Sequence, residues 1–337
     1  MKISLTSESS ETKSLLSILT LKQGLYTGPI PDIRKFFVPE VNADAFLCPH
    51  NLRSIEKDSK YLKYLKVISE RKPVILFNMG DYPRKKIKGN FVYIQTTHEV
   101  GYPLDTRDTI IVPLNVRQIK TQNRSWRKGL PVVSFVGQVP NLTLGRWLRS
   151  FFPIPPMVMG KCVPAPIRRN SALIRKFGTK ILMEKESGIT ITRKFHGGSP
   201  VHVQDVEWNR KLYEQVIENS DFIFSPRGDA NNSFRFYEAI SAGRIPIVPA
   251  TSIYLPSLKN SEVVDIVRVT RCLSGNLWNV VENFWTSINE NSYNEIQNSL
   301  RNLFKEELSY EKYLLSIFRM SIEEIREIKP FKLNPNC

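Results

Sequence analysis

Cysteine, histidine and long apolar runs are all scarce in this sequence, and each scarcity removes a class of function. The four cysteines, Cys48, Cys162, Cys272 and Cys337, stand too far apart for any Cys-x-x-Cys pair, which argues against a structural zinc site and a disulfide framework. Two of the four histidines, His196 and His202, lie either side of the turn Gly197-Gly198 without an acidic or thiol partner at ligand spacing, so a surface or loop role is preferred to a metal site. No apolar stretch approaches the ~18 residues that a membrane-spanning helix needs, and the run 151–159 is broken by Pro153, Pro155 and Pro156. The first twenty residues lack the basic, apolar and small-residue regions of a signal peptide, so export is not expected. What is present suits a folded chain: 337 residues, 41% hydrophobic and 10% aromatic, enough for a sizeable core and, by length, two domains.

Acidic residues are missing from one long segment. Between positions 117 and 194 there are sixteen Lys/Arg against only Glu184 and Glu186, so this segment carries +14 of the net +16 and leaves the rest of the chain close to neutral. One region therefore makes the protein basic, and an anionic ligand, a nucleic acid or an anionic lipid surface are the partners such a region fits.

Hydrophobic periodicity predicts helices over 11–23, with Leu15, Leu16 and Leu19, and over 52–71, with Leu62, Leu65 and Ile68 on one face. The Pro-containing stretch between them reads as irregular. Short apolar runs bounded by turn residues predict strands at 74–78, 91–96, 109–112 and 131–137. A polar, basic link at 117–129 precedes the last of these and marks the domain boundary. Further strands at 190–193, 221–225, 245–248 and 263–268 alternate with helical patterns, notably 209–219, which is the mark of parallel βαβ units. From 277 to 328 the pattern is helical throughout.

The stretch DFIFSPRGDANNSFRFYEAISAGRIPIVP, residues 221–249, reads as a single βαβ unit. Phe222 to Ser225 is a strand, Pro226 to Asn232 a turn-rich loop, and Asn232 or Ser233 can cap a helix running to Ala242. Gly243 supplies a left-handed stop and Ile245 to Val248 the next strand. The first turn of such a unit faces the C-terminal edge of the sheet, where a helix N-terminus offers free N–H groups to an anion. Arg227, Ser233 and Arg235 around that helix start imply a phosphate-bearing ligand. Glu238 then has two readings on spacing alone: free for ligand hydroxyls, or paired with Arg235 within the helix.

The string Pro226-Arg227-Gly228, Asn232-Ser233, Arg235-Phe236-Tyr237-Glu238-Ala239 and Gly243-Arg244-Ile245-Pro246 resembles the C-terminal signature of the exostosin-like glycosyltransferases. Shorter strings, FNMGD at 77–81, SFVGQ at 134–138 and RKFHGG at 193–198, resemble elements of the bacterial-type branch in the same order. The resemblance implies an α/β GT-B fold of two Rossmann-type domains facing across a cleft with a helical C-terminus. The expected division is 1–125 for the acceptor domain, 126–305 for the donor domain and 306–337 for a C-terminal helix packing back on the first. It implies inverting transfer of a sugar from a nucleoside-diphosphate sugar to a glycan or lipid-linked glycan acceptor. Carried over by position, Arg227, Gly228, Asn232, Ser233 and Arg235 serve the donor diphosphate and Glu238 the ribose hydroxyls. Animal and plant members carry an N-terminal membrane anchor that this sequence does not show, so a microbial or viral cytoplasmic enzyme is expected.

The chain has no Asp-x-Asp motif, so no metal cofactor is expected, and fixed arginines would stabilise the departing diphosphate. Inversion needs a general base. Asp81, just past the strand 74–78, is the first choice, and His98 and Glu99, after the strand 91–96, are the alternatives. The basic segment is assigned to docking on an anionic membrane face or acidic glycan, giving a cytoplasmic enzyme held peripherally on the inner membrane face. A nucleic-acid-binding protein is the rival from another class, but no RNA- or DNA-binding signature supports it. An inactive glycan-binding relative is the other, and the intact set Arg227, Arg235 and Glu238 argues against that.

Overall fold

A computed structural model describes residues 1–6, 32–78, 87–96, 108–137, 188–192, 203–227, 232–249, 254–259, 268–270 and 277–332. The first sheet is built from β1 (Ile3–Leu5), β2 (Ala45–Asn51), β3 (Val74–Asn78), β4 (Phe91–Gln95) and β5 (Thr109–Ile111). These five strands lie in sequence order and pair parallel throughout. Every residue of β3, β4 and β5 is buried, which is why they read as unbroken apolar runs: a parallel sheet is covered on both faces. Side chains alternate between two clusters, as a period of two requires. Ile75, Phe77, Val92 and Ile94 lie on one side. Val74, Leu76, Phe91 and Tyr93 lie on the other, with Leu52, Ile55, Leu65 and Ile68 packed against them.

Two expectations for the first seventy residues need correction. The single helix expected over 52–71 is two, α1 (Leu52–Ile55) and α2 (Ser59–Ser69). Asp58 divides them: its backbone is extended, and its carboxylate accepts from the N–H groups of Lys60 and Tyr61, both at 3.0 Å, capping α2. The stretch read as irregular contains β2, which tolerates Pro49 because its register against β3 shifts between Leu47 and Asn51. The helix expected over 11–23 lies outside the described residues.

The second sheet consists of β6 (Val133–Gly137), β7 (Gly188–Thr192), β8 (Phe222–Phe224), β9 (Ile245–Pro249) and β11 (Arg268–Thr270), parallel in the order β11-β9-β8-β6-β7. Helices α3 (Val203–Glu218) and α4 (Phe234–Ser241) connect β7 to β8 and β8 to β9, as the alternating pattern predicts. Phe135, Phe222, Phe224, Phe236 and Tyr237 share a core with Trp285 of α5 (Leu277–Ser287) and with Tyr293 and Leu300 of α6 (Glu290–Leu303). Ile119, Tyr213, Ile217, Ile223, Ala239 and Ala242 form a smaller cluster.

Beyond α6 a π-helical turn, Phe304–Leu308, leads into α7 (Tyr310–Ile317) and α8 (Ile322–Glu327). Tyr310, Leu314, Ile317, Phe318, Ile322 and Ile325 pack in the same cluster as Ile75, Phe77 and Ile94 of the first sheet. A short antiparallel pair, β10 (Tyr254–Leu255) with β12 (Phe331–Lys332), stands apart from both large sheets.

The link between the two sheets is pinned by a buried polar network. Arg124 pairs with Asp221 at 2.6 Å, whose carboxylate also accepts from the Val132 N–H at 2.7 Å and the Tyr293 hydroxyl at 3.0 Å. Gln297, fully buried, accepts from the Arg124 N–H at 2.8 Å and from Arg244 at 2.7 Å, and donates to the Arg124 carbonyl at 2.9 Å. Arg244 also donates to the carbonyls of Ile217 and Glu218 at the end of α3 and of Gln122 in the link. Burial pushes its pKa down to about 10. One cation of the basic segment, Arg124, is thus a structural residue, whereas Arg117, Lys120, Arg127 and Lys128 are exposed. Among the described residues, no helix is long and apolar enough to cross a membrane.

Candidate functional site

The strand order of the second sheet sets a switch point. From β6 the chain moves outward to β7, then returns across β6 to add β8, β9 and β11 on its other side. The order reverses between the C-terminal ends of β6 and β8, the switch point at which ligands of open α/β sheets bind. Arg227 follows β8 at this end and is 2% exposed. Arg235, in the first turn of α4, donates from Nε to the Val136 carbonyl near the end of β6, and its guanidinium carbon lies 5.2 Å from the centroid of the Phe135 ring. The topology therefore brings Arg227 and Arg235 to the two strand ends at that switch point.

Helix α4 begins here because Asn232 and Ser233 stop the preceding loop. Ser233 is the N-cap residue with extended backbone, and its N–H donates to Asn232 Oδ1 at 2.7 Å. Its hydroxyl makes no cap bond and, among the described residues, has no hydrogen-bond partner although it is buried. A buried orphan hydroxyl beside the uncapped amides of a helix start suits an anion. Asn232 has a second bond: Nδ2 donates to the carbonyl of Thr96, just past β4 of the first sheet. Nearby, Asn78 at the end of β3 donates to Gln95 at the end of β4 at 3.0 Å.

Glu238 is not the free carboxylate that one reading of its spacing allows. It is 3% exposed and accepts from Arg210 at 3.0 Å and from the Tyr213 hydroxyl, both on α3. A buried carboxylate without partners would cost several kcal/mol, so its oxygens find donors in the helix packed alongside. Burial raises the Glu238 pKa, against the pull of Tyr213, Arg210 and Arg235. Burial also drives the Tyr213 hydroxyl well above its ordinary range, and adjacent Glu238 adds to this. Burial alone would lower the pKa of Arg210, but Glu238 and Glu214 outweigh it and the net shift is upward. Glu214 itself accepts from Arg210 at 2.7 Å.

Of the residues singled out by sequence, Arg227, Asn232, Ser233, Arg235 and Glu238 converge on the β8-α4 turn or the helix behind it. Gly228, Asp81, His98, Glu99, His196 and His202 lie outside the described residues, as do residues 138–187, Arg193 and Lys194 of the basic segment. Among the described residues, no three His, Cys, Asp or Glu side chains gather as a metal ion would need. Sequence reasoning missed Arg210 and Tyr213. Their signal was there: Arg210, Tyr213 and Ile217 recur at i, i+3 and i+7, one stripe of α3, so the arginine falls on the face that packs inward.

Known proteins are similar to parts of this chain. Residues 182–264, which contain α3, β8, α4 and β9, match the family model described as the RXYLT1 C-terminal domain. Exostosin-1 of Drosophila melanogaster is 37% identical over 75 residues, and the Exostosin-1 homolog of Caenorhabditis elegans is 30% identical over 128 residues. Those matches cover 20% and 36% of this chain, but only 10% and 30% of the relatives. The crystal structure of TarM aligns with 77% of this chain and 57% of its own, at 11% identity and a TM-score of 0.33.

Proposed function

We propose that this chain is an inverting, metal-independent glycosyltransferase of GT-B architecture that moves a sugar from a nucleoside-diphosphate sugar to a glycan or lipid-linked glycan. The observation that carries the reading is the placing of Arg227, Arg235 and the Ser233 hydroxyl, which has no partner among the described residues, around the helix start at the switch point of a parallel sheet, inside the stretch that matches the RXYLT1 C-terminal domain. Arg227, Gly228, Asn232, Ser233 and Arg235 would hold the diphosphate, and the fixed arginines would stabilise its developing charge as the sugar leaves. Glu238 would take the ribose hydroxyls. Residues 1–125 would bind the acceptor and 126–305 the donor, with 306–337 returning to the first unit. Asp81 is the proposed base, ahead of His98 and Glu99, and the strings FNMGD, SFVGQ and RKFHGG favour the bacterial-type branch.

A thermal-shift screen over nucleoside diphosphates and their sugars, in the presence of a chelator, tests the donor site. A ligand at about 100 times its dissociation constant adds ~2.7 kcal/mol, and Arg235→Ala should erase the shift; no shift with any nucleotide sinks the proposal. Asp81→Asn should keep nucleotide binding and abolish transfer, and full transfer in that variant removes Asp81 from the mechanism. The segment 117–194 would hold the enzyme on the anionic inner face of the cytoplasmic membrane. Co-sedimentation with anionic vesicles should then be seen at low but not at high salt.

A further inference from the structure

We infer that Arg210 and Tyr213 are positioning residues that aim the Glu238 carboxylate at a ribose hydroxyl of the donor nucleotide, an inference that rests on the function proposed above. Glu238 lies one turn beyond Arg235 in α4, behind the helix start that Ser233 opens. Its carboxylate is fixed from the side of α3: Arg210 Nη1 donates to Oε1 at 3.0 Å and the Tyr213 hydroxyl donates to Oε2. Arg210 is in turn held by Glu214 at 2.7 Å and lies 5.5 Å from the Tyr213 ring centroid. All three members of the cluster are at most 7% exposed.

Packing does not require this arrangement. Apolar side chains of similar volume usually stabilise a fold as well as a buried ion pair does, because the pair must first be stripped of water. A carboxylate kept here at that cost, beside an anion-binding helix start, is explained by an outward use. Each of its oxygens has two lone pairs and accepts one bond within the cluster, which leaves acceptor capacity for a hydroxyl donor. Two donors from one rigid helix fix the carboxylate plane, so the remaining lone pairs point in a set direction. The cluster thus reads the sugar of the nucleotide while the arginines of the turn read its phosphates.

Isothermal titration of the full chain separates the two. The probes are UDP, GDP, ADP and CDP, each beside its 2′-deoxy and 3′-deoxy forms, together with inorganic pyrophosphate. The wild-type chain should prefer one ribonucleotide over a deoxy form by about tenfold or more, the loss expected when a buried acceptor loses its donor. In Tyr213→Phe that preference should collapse while pyrophosphate affinity stays within about twofold. Arg210→Lys, which keeps the charge but not the fork geometry, should do the same and serves if the tyrosine variant does not fold. A folded variant of either residue with a lowered Tm but the wild-type preference overturns the inference and leaves a packing role. Wild-type protein that binds the diphosphates without regard to the ribose also overturns it, while the donor-site reading stands. Wild-type protein that binds neither nucleotides nor pyrophosphate sinks both.

Discussion

At the residue scale, Gln297 is the clearest case of one side chain serving several parts of the chain. It is wholly buried, and both ends of its amide are used, by the backbone of Arg124 and by the Arg244 guanidinium. Gln297→Ala would leave an arginine donor and a backbone N–H without partners, so a loss of about 2–4 kcal/mol is expected by urea denaturation. A loss below about 0.5 kcal/mol would mean that water replaces the amide. Glu238 gives a pH test. Its carboxyl titrates above the ordinary 4.5 in the folded chain because it is buried, so between that value and the folded one the native state holds a proton that the unfolded chain has released. Its stabilising contribution is complete below 4.5 and is lost as pH rises through the folded value. Urea midpoints measured from about pH 4 to about pH 8 should show this falling component in the wild type and not in Glu238→Gln; equal slopes would assign it to another group. The arginines and the serine of the β8-α4 turn were legible in the sequence because a turn, a cap and a stop fix their place locally. The donors to Glu238 were not, since Arg210 and Tyr213 reach it from a helix some thirty residues upstream, a contact that only the packing of α3 against α4 creates.

At the element scale, helix α4 is held at its far end by Gly243. Its φ is +69°, and a Cβ built there would lie 2.7 Å from the Gln297 carbonyl oxygen and 2.8 Å from Arg301 Cζ. Left-handed backbone alone costs a non-glycine residue about 1–3 kcal/mol, and the carbonyl contact adds to it. Gly243→Ala should therefore lower stability by at least about 2 kcal/mol by thermal or urea melting, and a neutral effect would show that the helix ends elsewhere in solution. Asp58→Ala, which removes the cap of α2, is expected to cost only about 1 kcal/mol. Strands β3, β4, β5, β6 and β9 stood out in the sequence because each is an apolar run long enough to be buried on both faces and ended by a turn former. Strand β2 did not, because Pro49 hides it and its irregular register follows from its partner β3 rather than from its own residues. The split of α1 from α2 was missed for a different reason: the spacing of apolar residues runs on through Asp58, and the aspartate's capping bonds compete with it only locally.

At the scale of the molecule, the last helices belong to the core of the first sheet. Phe318 is fully buried and lies 5.9 Å, centroid to centroid, from Phe36, in the cluster that holds Ile75, Phe77 and Ile94. Phe318→Ala should cost about 3–5 kcal/mol, a loss readable in the urea midpoint, and one below about 1 kcal/mol would mean that the segment is not a working part of that core. This long-range packing could be expected from an apolar stripe but not located by it, since periodicity says that a helix is covered and never by what. The hydrogen bond from Asn232 to the Thr96 carbonyl has a consequence of the same reach. A carboxamide has one pair of N–H donors, and here one of them is given to the far sheet. The end of β4 and the turn before α4 therefore share one side chain: the amide whose oxygen accepts from the Ser233 N–H is the same one whose nitrogen satisfies the Thr96 carbonyl.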